Sequence, residues 1–359
     1  MKFTTTAGSL AEALAATAKV TPKNPTMAVF AGVRIAATPA SVSITGADDG
    51  ADTTVTITLE ATDVTAGHVV LPPKPISAYL ATLRAATLVT VWAEKSTEVR
   101  VEAAGSSPYT FRAMDATFPS AGTLADDPRP VDLAGLNTAV AAVKDIAKKT
   151  AVVQLVSDAS GARLYATDGV RLVRARLPGA GFGDFSGLLS YQVCEQLCDF
   201  AVDSVQVDKS GRLFAASGPR ASVVTRLIDS QFPAVDSVLD VFPTSTVAVP
   251  AAALKAALHR LSAVTESTRP VVVTIHGDQL VLQVDSANIG SGAERIELEV
   301  PSAVEVAFGV NLDFFAAAAG SVPGPYVVLG WSSPVQPIFV RSQDGPGLAV
   351  THVIMPVRL

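Results

Sequence analysis

Tyr109-Thr110-Phe111-Arg112-Ala113-Met114-Asp115-Ala116-Thr117-Phe118-Pro119 has two counterparts further along the chain. They are Val223-Val224-Thr225-Arg226-Leu227-Ile228-Asp229-Ser230-Gln231-Phe232-Pro233 and Ala349-Val350-Thr351-His352-Val353-Ile354-Met355-Pro356. Each reads as a strand ending at or near a proline, which has no N–H to donate to a ladder. The final prolines are 114 and 123 residues apart, a period that marks a repeated unit. The same period returns in Ala-rich amphipathic segments at 7–21, 133–149 and 249–265. Their apolar residues recur at three-to-four spacing: Leu10 and Leu14; Leu136, Val140 and Val143; Leu254, Leu258 and Leu261. Ser9, Asp132 and Pro250 are the expected helix starts. A second helical set is expected at 72–84, 188–201 and 311–322. β-branched runs lie between, at Val42–Thr45, Val55–Leu59, Val271–Ile275 and Leu280–Val284. Gly277-Asp278 is expected to join the last two as a hairpin. Each unit therefore reads strand, helix, several strands, helix, several strands, an α+β pattern. Three units of about 120 residues fill the chain, with expected domains at 1–121, 122–244 and 245–359. No Ser- or Gly-rich linker separates them, so rigid packing is expected.

Composition narrows the class. Of 359 residues 49% are hydrophobic and only 17% charged, which excludes a mainly disordered chain. The mean hydropathy of +0.38 invites a membrane reading. A spanning helix needs about 18 uninterrupted apolar residues, and the longest candidates, Val247–Leu254 and Phe314–Ala319, are far shorter. Glu12 and Lys19 interrupt any signal-like core near Met1-Lys2-Phe3-Thr4, so that segment reads as a strand followed by a helix. Cys194 and Cys198 are too few for a disulfide framework and suit one helix face in a reduced, cytoplasmic protein. The net charge of −6 does not suit a generally basic nucleic-acid binder. An odd number of β-edged units leaves two free edges, which a homodimer would close.

No catalytic constellation is visible. His68, His259, His276 and His352 are scattered and none has metal-ligand spacing with cysteine. Cys194-x-x-x-Cys198 is not a redox pair. Gly179-Ala180-Gly181-Phe182-Gly183 lacks the Gly-Lys-Ser/Thr ending of a nucleotide loop and reads as a plain loop. Asp48-Asp49 and Asp126-Asp127 read as turn residues. No cofactor and no metal are expected, and no nucleophile, base and orienting group come together.

Several segments, in order along the whole chain, carry a family resemblance. Met1-Lys2-Phe3-Thr4 and Val353-Ile354-Met355-Pro356-Val357-Arg358-Leu359 resemble the two ends of the bacterial sliding clamp, the β subunit of DNA polymerase III. Ala166-Thr167-Asp168-Gly169-Val170-Arg171-Leu172 resembles the family's Ala-Thr-Asp-Gly-His-Arg-Leu segment. Phe232-Pro233-Ala234-Val235-Asp236-Ser237-Val238-Leu239, Phe308-Gly309-Val310-Asn311-Leu312-Asp313-Phe314 and Pro25-Thr26-Met27-Ala28-Val29-Phe30 are similar to three further family segments. The resemblance implies three clamp-type domains and no catalytic activity. It also implies two chains closed into a ring around duplex DNA, helices lining the hole and sheets outside. The charge map agrees with that expectation. The six helical segments carry eight basic and five acidic residues, a net +3, leaving −9 elsewhere. A sliding protein needs such non-specific phosphate attraction and no base reading.

The resemblance further implies a hydrophobic pocket for linear peptides of the Gln-x-x-Leu-Phe type. Its wall would be Thr167, Gly169, Val170, Arg171 and Leu172, with Pro233 and Val238 from the second repeat. Asn311, Phe314, Val335 and Pro337 would follow, and Val353, Met355, Pro356, Val357 and Arg358 would close it. Expected partners are the polymerase III catalytic subunit, clamp-loader subunits, and other polymerases and repair proteins with clamp-binding motifs. Expected DNA contacts are Lys19, Lys23, Asn24, Lys74, Arg84, Lys144, Lys148, Lys149, Lys255 and Arg260. The dimer joint is expected at Tyr109 and Phe111 against Leu261, Ala263 and Val264. Val170 stands where the family has His or an aromatic residue, and Ser237 where many members have a longer polar chain. These departures suggest a specialised, phage-borne or inhibitor-insensitive copy. An interaction scaffold that does not bind DNA is the competing class.

Overall fold

The computed structural model describes every residue except 51, 120, 121, 123–128, 131–134, 178, 180, 209, 210, 240–242, 265–269, 344–348 and 359. Asp126-Asp127, Asp132 and Ala180 lie outside the described residues. The helices are α1 (Ala7–Ala18), α2 (Pro73–Leu80), α3 (Leu136–Thr150), α4 (Tyr191–Asp199), α5 (Asp236–Leu239), α6 (Ala251–Leu261) and α7 (Leu312–Ser321). All six expected helical segments are present, and the single turn of α5 is an addition. Ser9 does not start α1. Thr6 is the cap, its hydroxyl accepting the Ser9 N–H at 3.2 Å. Pro250 does precede α6, as expected.

The residues group into two compact units, one of Met1–Pro130 with Asp199–Leu227 and one of Val131–Cys198 with Ile228–Leu359. The first holds a five-stranded sheet ordered Thr62–Thr65, Lys2–Thr6, Leu88–Lys95, Glu98–Ala103, Tyr109–Arg112. Its eight-stranded sheet runs Arg129–Pro130, Ser204–Val207, Leu213–Ser217, Ala221–Arg226, Thr53–Leu59, Ser41–Ala47, Val33–Thr38, Gly67–Leu71. Strict alternation buries Val42 and Ile44 on one strand and Val33, Ile35 and Ala37 on the next. Against them α1 turns Ala7, Leu10, Ala13, Leu14 and Thr17 inward, at helical spacing. The approach is closest at Gly46, where a Cβ would lie 2.4 Å from the Thr17 carbonyl oxygen. Only glycine lets this strand and helix meet.

In the second unit an eight-stranded antiparallel sheet runs Phe185–Ser190, Val152–Asp158, Gly161–Thr167, Arg171–Arg176, Ala349–Ile354, Ile338–Ser342, Tyr326–Trp331, Ser245–Pro250. The repeat-like third segment is thus hydrogen-bonded directly to the strand after the Thr-Asp-Gly turn, Arg171 facing Ile354 and Leu172 facing Val353. Helices α3, α6 and α7 add Val140, Val143, Ile146, Leu254, Leu258 and Phe315 to the core. A second sheet pairs Pro270–Ser286 with Gly290–Asn311. At the expected hairpin Gly277-Asp278 strand character continues, but the register slips on both sides of Gly277. The buried phase also changes there, from Val271, Val273 and Ile275 to Leu280, Leu282 and Val284.

Candidate functional site

The Thr-Asp-Gly turn organises the site. Thr167 Oγ1 donates to the Arg171 carbonyl at 2.8 Å and accepts from the Gly169 N–H at 3.2 Å. Gly169 has φ +84°, the left-handed region that favours glycine. Asp168 Oδ1 accepts the N–H groups of Val170 and Arg171 at 3.2 and 2.8 Å. Its other oxygen takes Arg171 Nε and Nη2 at 3.2 and 2.9 Å, a two-pronged guanidinium–carboxylate contact. The Asp168 side chain is only 2% exposed, and Lys149 Nζ is 3.6 Å away. Arg171 also ion-pairs with Asp145 and lies 3.8 Å above the Phe314 ring. Burial alone would raise the Asp168 carboxyl. The Arg171 N–H, its guanidinium hydrogen bonds and charge, and the Val170 N–H outweigh burial and hold it below the usual carboxylate range.

This turn holds Leu172 on an apolar floor. Tyr165, Leu172, Val235, Leu239, Phe339 and Val353 form one buried cluster, with Val156 and Phe232 packed against it. Beside it are exposed apolar side chains: Val238 at 38%, next to Leu239, and Val170 at 48% and Met355 at 45%, which share a backbone bond; Val357 at 40% and Val335 at 74% are also exposed. The tail is fixed by backbone bonds, Met355 N–H to Val170 O at 3.0 Å and Val357 N–H to Gly309 O at 2.8 Å. Asn311 caps α7, accepting the Phe314 N–H at 3.0 Å, so its side chain is engaged locally. Pro233, Gly169 and Arg358 are exposed, and Pro337 and Pro356 half-buried. Buried His352 lies on the strand leading to this tail, its Nε2 2.7 Å from Ser321 Oγ.

The sequence reading missed Tyr165, Val235, Leu239 and Phe339. Phe232, Val235 and Leu239 have one-turn helical spacing, a signal the sequence did carry. Tyr165 alternates with Arg163 and Thr167, and Phe339 with Pro337 and Arg341, so no apolar two-residue period marks either. Val238, chosen from the resemblance, points outward beside the buried Leu239.

The expected DNA residues are exposed, except Lys255, which is half-buried. Lys144, Lys148 and Lys149 share α3, the last two in its final turn. Lys19 is paired with Asp199 at 2.7 Å, and Arg260 is held by both Glu294 oxygens at 2.7 Å. Tyr109 and Phe111 lie on the outermost strand of the five-stranded sheet, their rings 4.6 and 5.8 Å from that of Tyr79. Leu261 is 2% exposed and serves its own core, while Ala263 is exposed and Val264 half-exposed.

Asp48 and Asp49 accept from Thr53 and Thr26 in a turn. Burial pushes the Cys194 thiol up to about 12, which suppresses thiolate chemistry. Among the described residues no group of His, Cys, Asp and Glu could hold a metal. No helix among them is long and apolar enough to cross a membrane.

The architecture is the α+β clamp fold. Sequence models for the N-terminal and C-terminal domains of the DNA polymerase III beta subunit match residues 1–120 and 239–358. The chain belongs to this family, the non-catalytic sliding clamps of DNA replication. Among solved structures, the beta subunit of Streptococcus pyogenes DNA polymerase superposes with a TM-score of 0.89 at 18% identity. The Pseudomonas aeruginosa DNA polymerase III subunit beta gives 0.85 at 17%. The Helicobacter pylori beta clamp bound to a DNA ligase peptide gives 0.84 at 18%. Each comparison covers 100% of both chains. At such identities the likeness is one of fold.

Proposed function

We propose that two copies of this chain close head to tail around duplex DNA and tether replication proteins through the apolar site. The observation that carries this reading is the floor of Leu172, Val353 and Phe339, with exposed Val170, Val238 and Met355 beside it. The buried floor stabilises the monomer, but the exposed rim side chains gain nothing from facing water, whereas an extended peptide with apolar anchors would cover them. In this reading the chain has three clamp domains, 1–121, 122–244 and 245–359. The two matched end domains support it. The edge strand Tyr109–Arg112, unpaired on its outer side among the described residues, is the dimer seam, facing the Ala263 and Val264 end of a partner's third domain. The exposed lysines of α3, with Lys23, Asn24, Lys74 and Arg84, contact phosphates, in the cytoplasm. Partners are the polymerase III catalytic subunit, clamp-loader subunits, and other polymerases and repair proteins with docking motifs. The ligase peptide on the Helicobacter pylori clamp is a precedent for the last group.

Two measurements test this. After incubation with a clamp loader and ATP, the protein is expected to stay on nicked circular DNA and to run off once the circle is cut. Equal loss from circular and linear DNA would defeat the ring. A labelled Gln-x-x-Leu-Phe peptide is expected to bind saturably in fluorescence polarisation. Met355→Ala should weaken it by about five- to thirtyfold, the range for a partly buried anchor contact of about 1–2 kcal/mol. Val170, 48% exposed at the rim in place of the family's larger residue, favours a second reading as a specialised copy with altered peptide preference.

A further inference from the structure

The strand register lays out a second row beside the apolar floor. Leu172 pairs with Val353 and Val353 with Phe339, forming one row across three strands. Two residues along each strand, and so on the same face, lie Arg174, Thr351 and Arg341. Tyr165 extends this second row, paired with Arg174. Two residues of strand separate the rows by about 7 Å. Arg174 and Arg341 are both half-exposed. Arg174 is close enough to Tyr165 for its charge to act on the hydroxyl, and Arg341 Nε is buried with no hydrogen-bond partner among the described residues. Neither guanidinium ion-pairs with a described carboxylate. Asp236 on α5 is close enough for its charge to act on Tyr165, yet it pairs with neither arginine. Arg163 on the same face is already bound to Asp158.

We propose that the Arg174–Thr351–Arg341 row is a subsite that selects docking peptides carrying an acidic side chain two residues from their apolar anchor. The inference rests on the peptide-site reading above. Alternate side chains of an extended peptide are also about 7 Å apart. A peptide whose leucine sits on Leu172 and Val353 therefore presents an Asp or Glu at that spacing to the guanidinium row. The Thr351 hydroxyl supplies a further donor between the two charges. The apolar floor supplies the affinity, and the arginine pair distinguishes acidic from neutral peptides.

The test compares two labelled peptides, Gln-Asp-Ala-Leu-Phe-Asp and Gln-Asn-Ala-Leu-Phe-Asn, on the full chain in low salt. The acidic peptide is expected to bind about five- to tenfold more tightly, and the margin to shrink as salt screens it. The double variant Arg174→Gln with Arg341→Gln should abolish the preference. Arg174→Lys with Arg341→Lys should keep most of it. The preference is a ratio of two Kd values on one protein, so it stays defined if the glutamine pair also lowers overall affinity. Equal binding of both peptides by the unmodified chain, or a preference that survives the glutamine pair, overturns the proposal. Binding of neither peptide, or indifference of the Asn peptide to Met355→Ala, defeats the peptide-site reading and this proposal with it.

Discussion

Arg171→Ala is expected to lower the unfolding free energy by about 3–5 kcal/mol, the range for breaking one side of a buried ion pair. The guanidinium is 7% exposed and the Asp168 side chain 2%. Removing it strands a buried carboxylate, with Lys149 the remaining cation at 3.6 Å. The Asp145 pair and the stack on Phe314 are lost in the same step. Asp168→Asn alone should cost less, because the amide oxygen can still accept the turn's N–H groups. The double variant should recover part of the Arg171→Ala loss, since no buried charge is then left unpaired. Urea unfolding of the four proteins measures this. Strictly additive losses would show that the two residues do not act as a pair. The effect reaches the site because the same turn positions Val170 and Leu172, so peptide affinity should fall in Arg171→Ala even where the protein is still folded.

The second large effect is a loss of stability on mild acidification, through His352. Burial, reinforced by the Arg171 charge, pushes its imidazole down to about 3 from the ordinary 6.5. The folded pKa is therefore below the unfolded one, and the unfolded chain takes up the proton first. The stability contributed by the neutral ring is complete above about pH 6.5 and is lost as pH falls toward 3. The slope approaches 1.4 kcal/mol per pH unit in that window, or about 2–3 kcal/mol between pH 6.5 and 4.5. His352→Gln keeps a hydrogen bond within reach of Ser321 and has no proton to take up. Its unfolding midpoint in urea should be much flatter across this range. An unchanged slope in His352→Gln would assign the acid sensitivity to another group. Asp168, whose carboxyl is held below its usual range, acts in a lower window. Its contribution is present above the ordinary carboxylate pKa and is lost only as pH falls below that value.

Local pattern determined much of this protein. Leu10 and Leu14, Val140 and Val143, and Leu254 and Leu258 mark three helices because a buried helical face repeats every three to four residues. Val42 and Ile44 mark a strand by the two-residue period. At Thr167–Arg171 a short polar run around glycine closes a hairpin through side-chain hydrogen bonds, a segment that the sequence marked only by its resemblance. The family resemblance implied one site for Leu172, Val353 and Met355, and the sheet pairs the first two directly. Tertiary structure alone decided which residues of each segment face inward. Leu239 rather than its neighbour Val238 joins the floor, because successive residues of a helix are rotated about 100° apart. Leu261 belongs to a core, although its helix ends at an exposed turn. Nothing in the spacing of Asp145, Asp168, Arg171, Phe314 and His352 announces that the other four gather around the buried Arg171 guanidinium. They come from α3, a turn, α7 and a strand, and partners so far apart in sequence are set by strand register and helix packing. The same reason hid the Arg174–Arg341 row, whose members are 167 positions apart in sequence and two strands apart in the sheet.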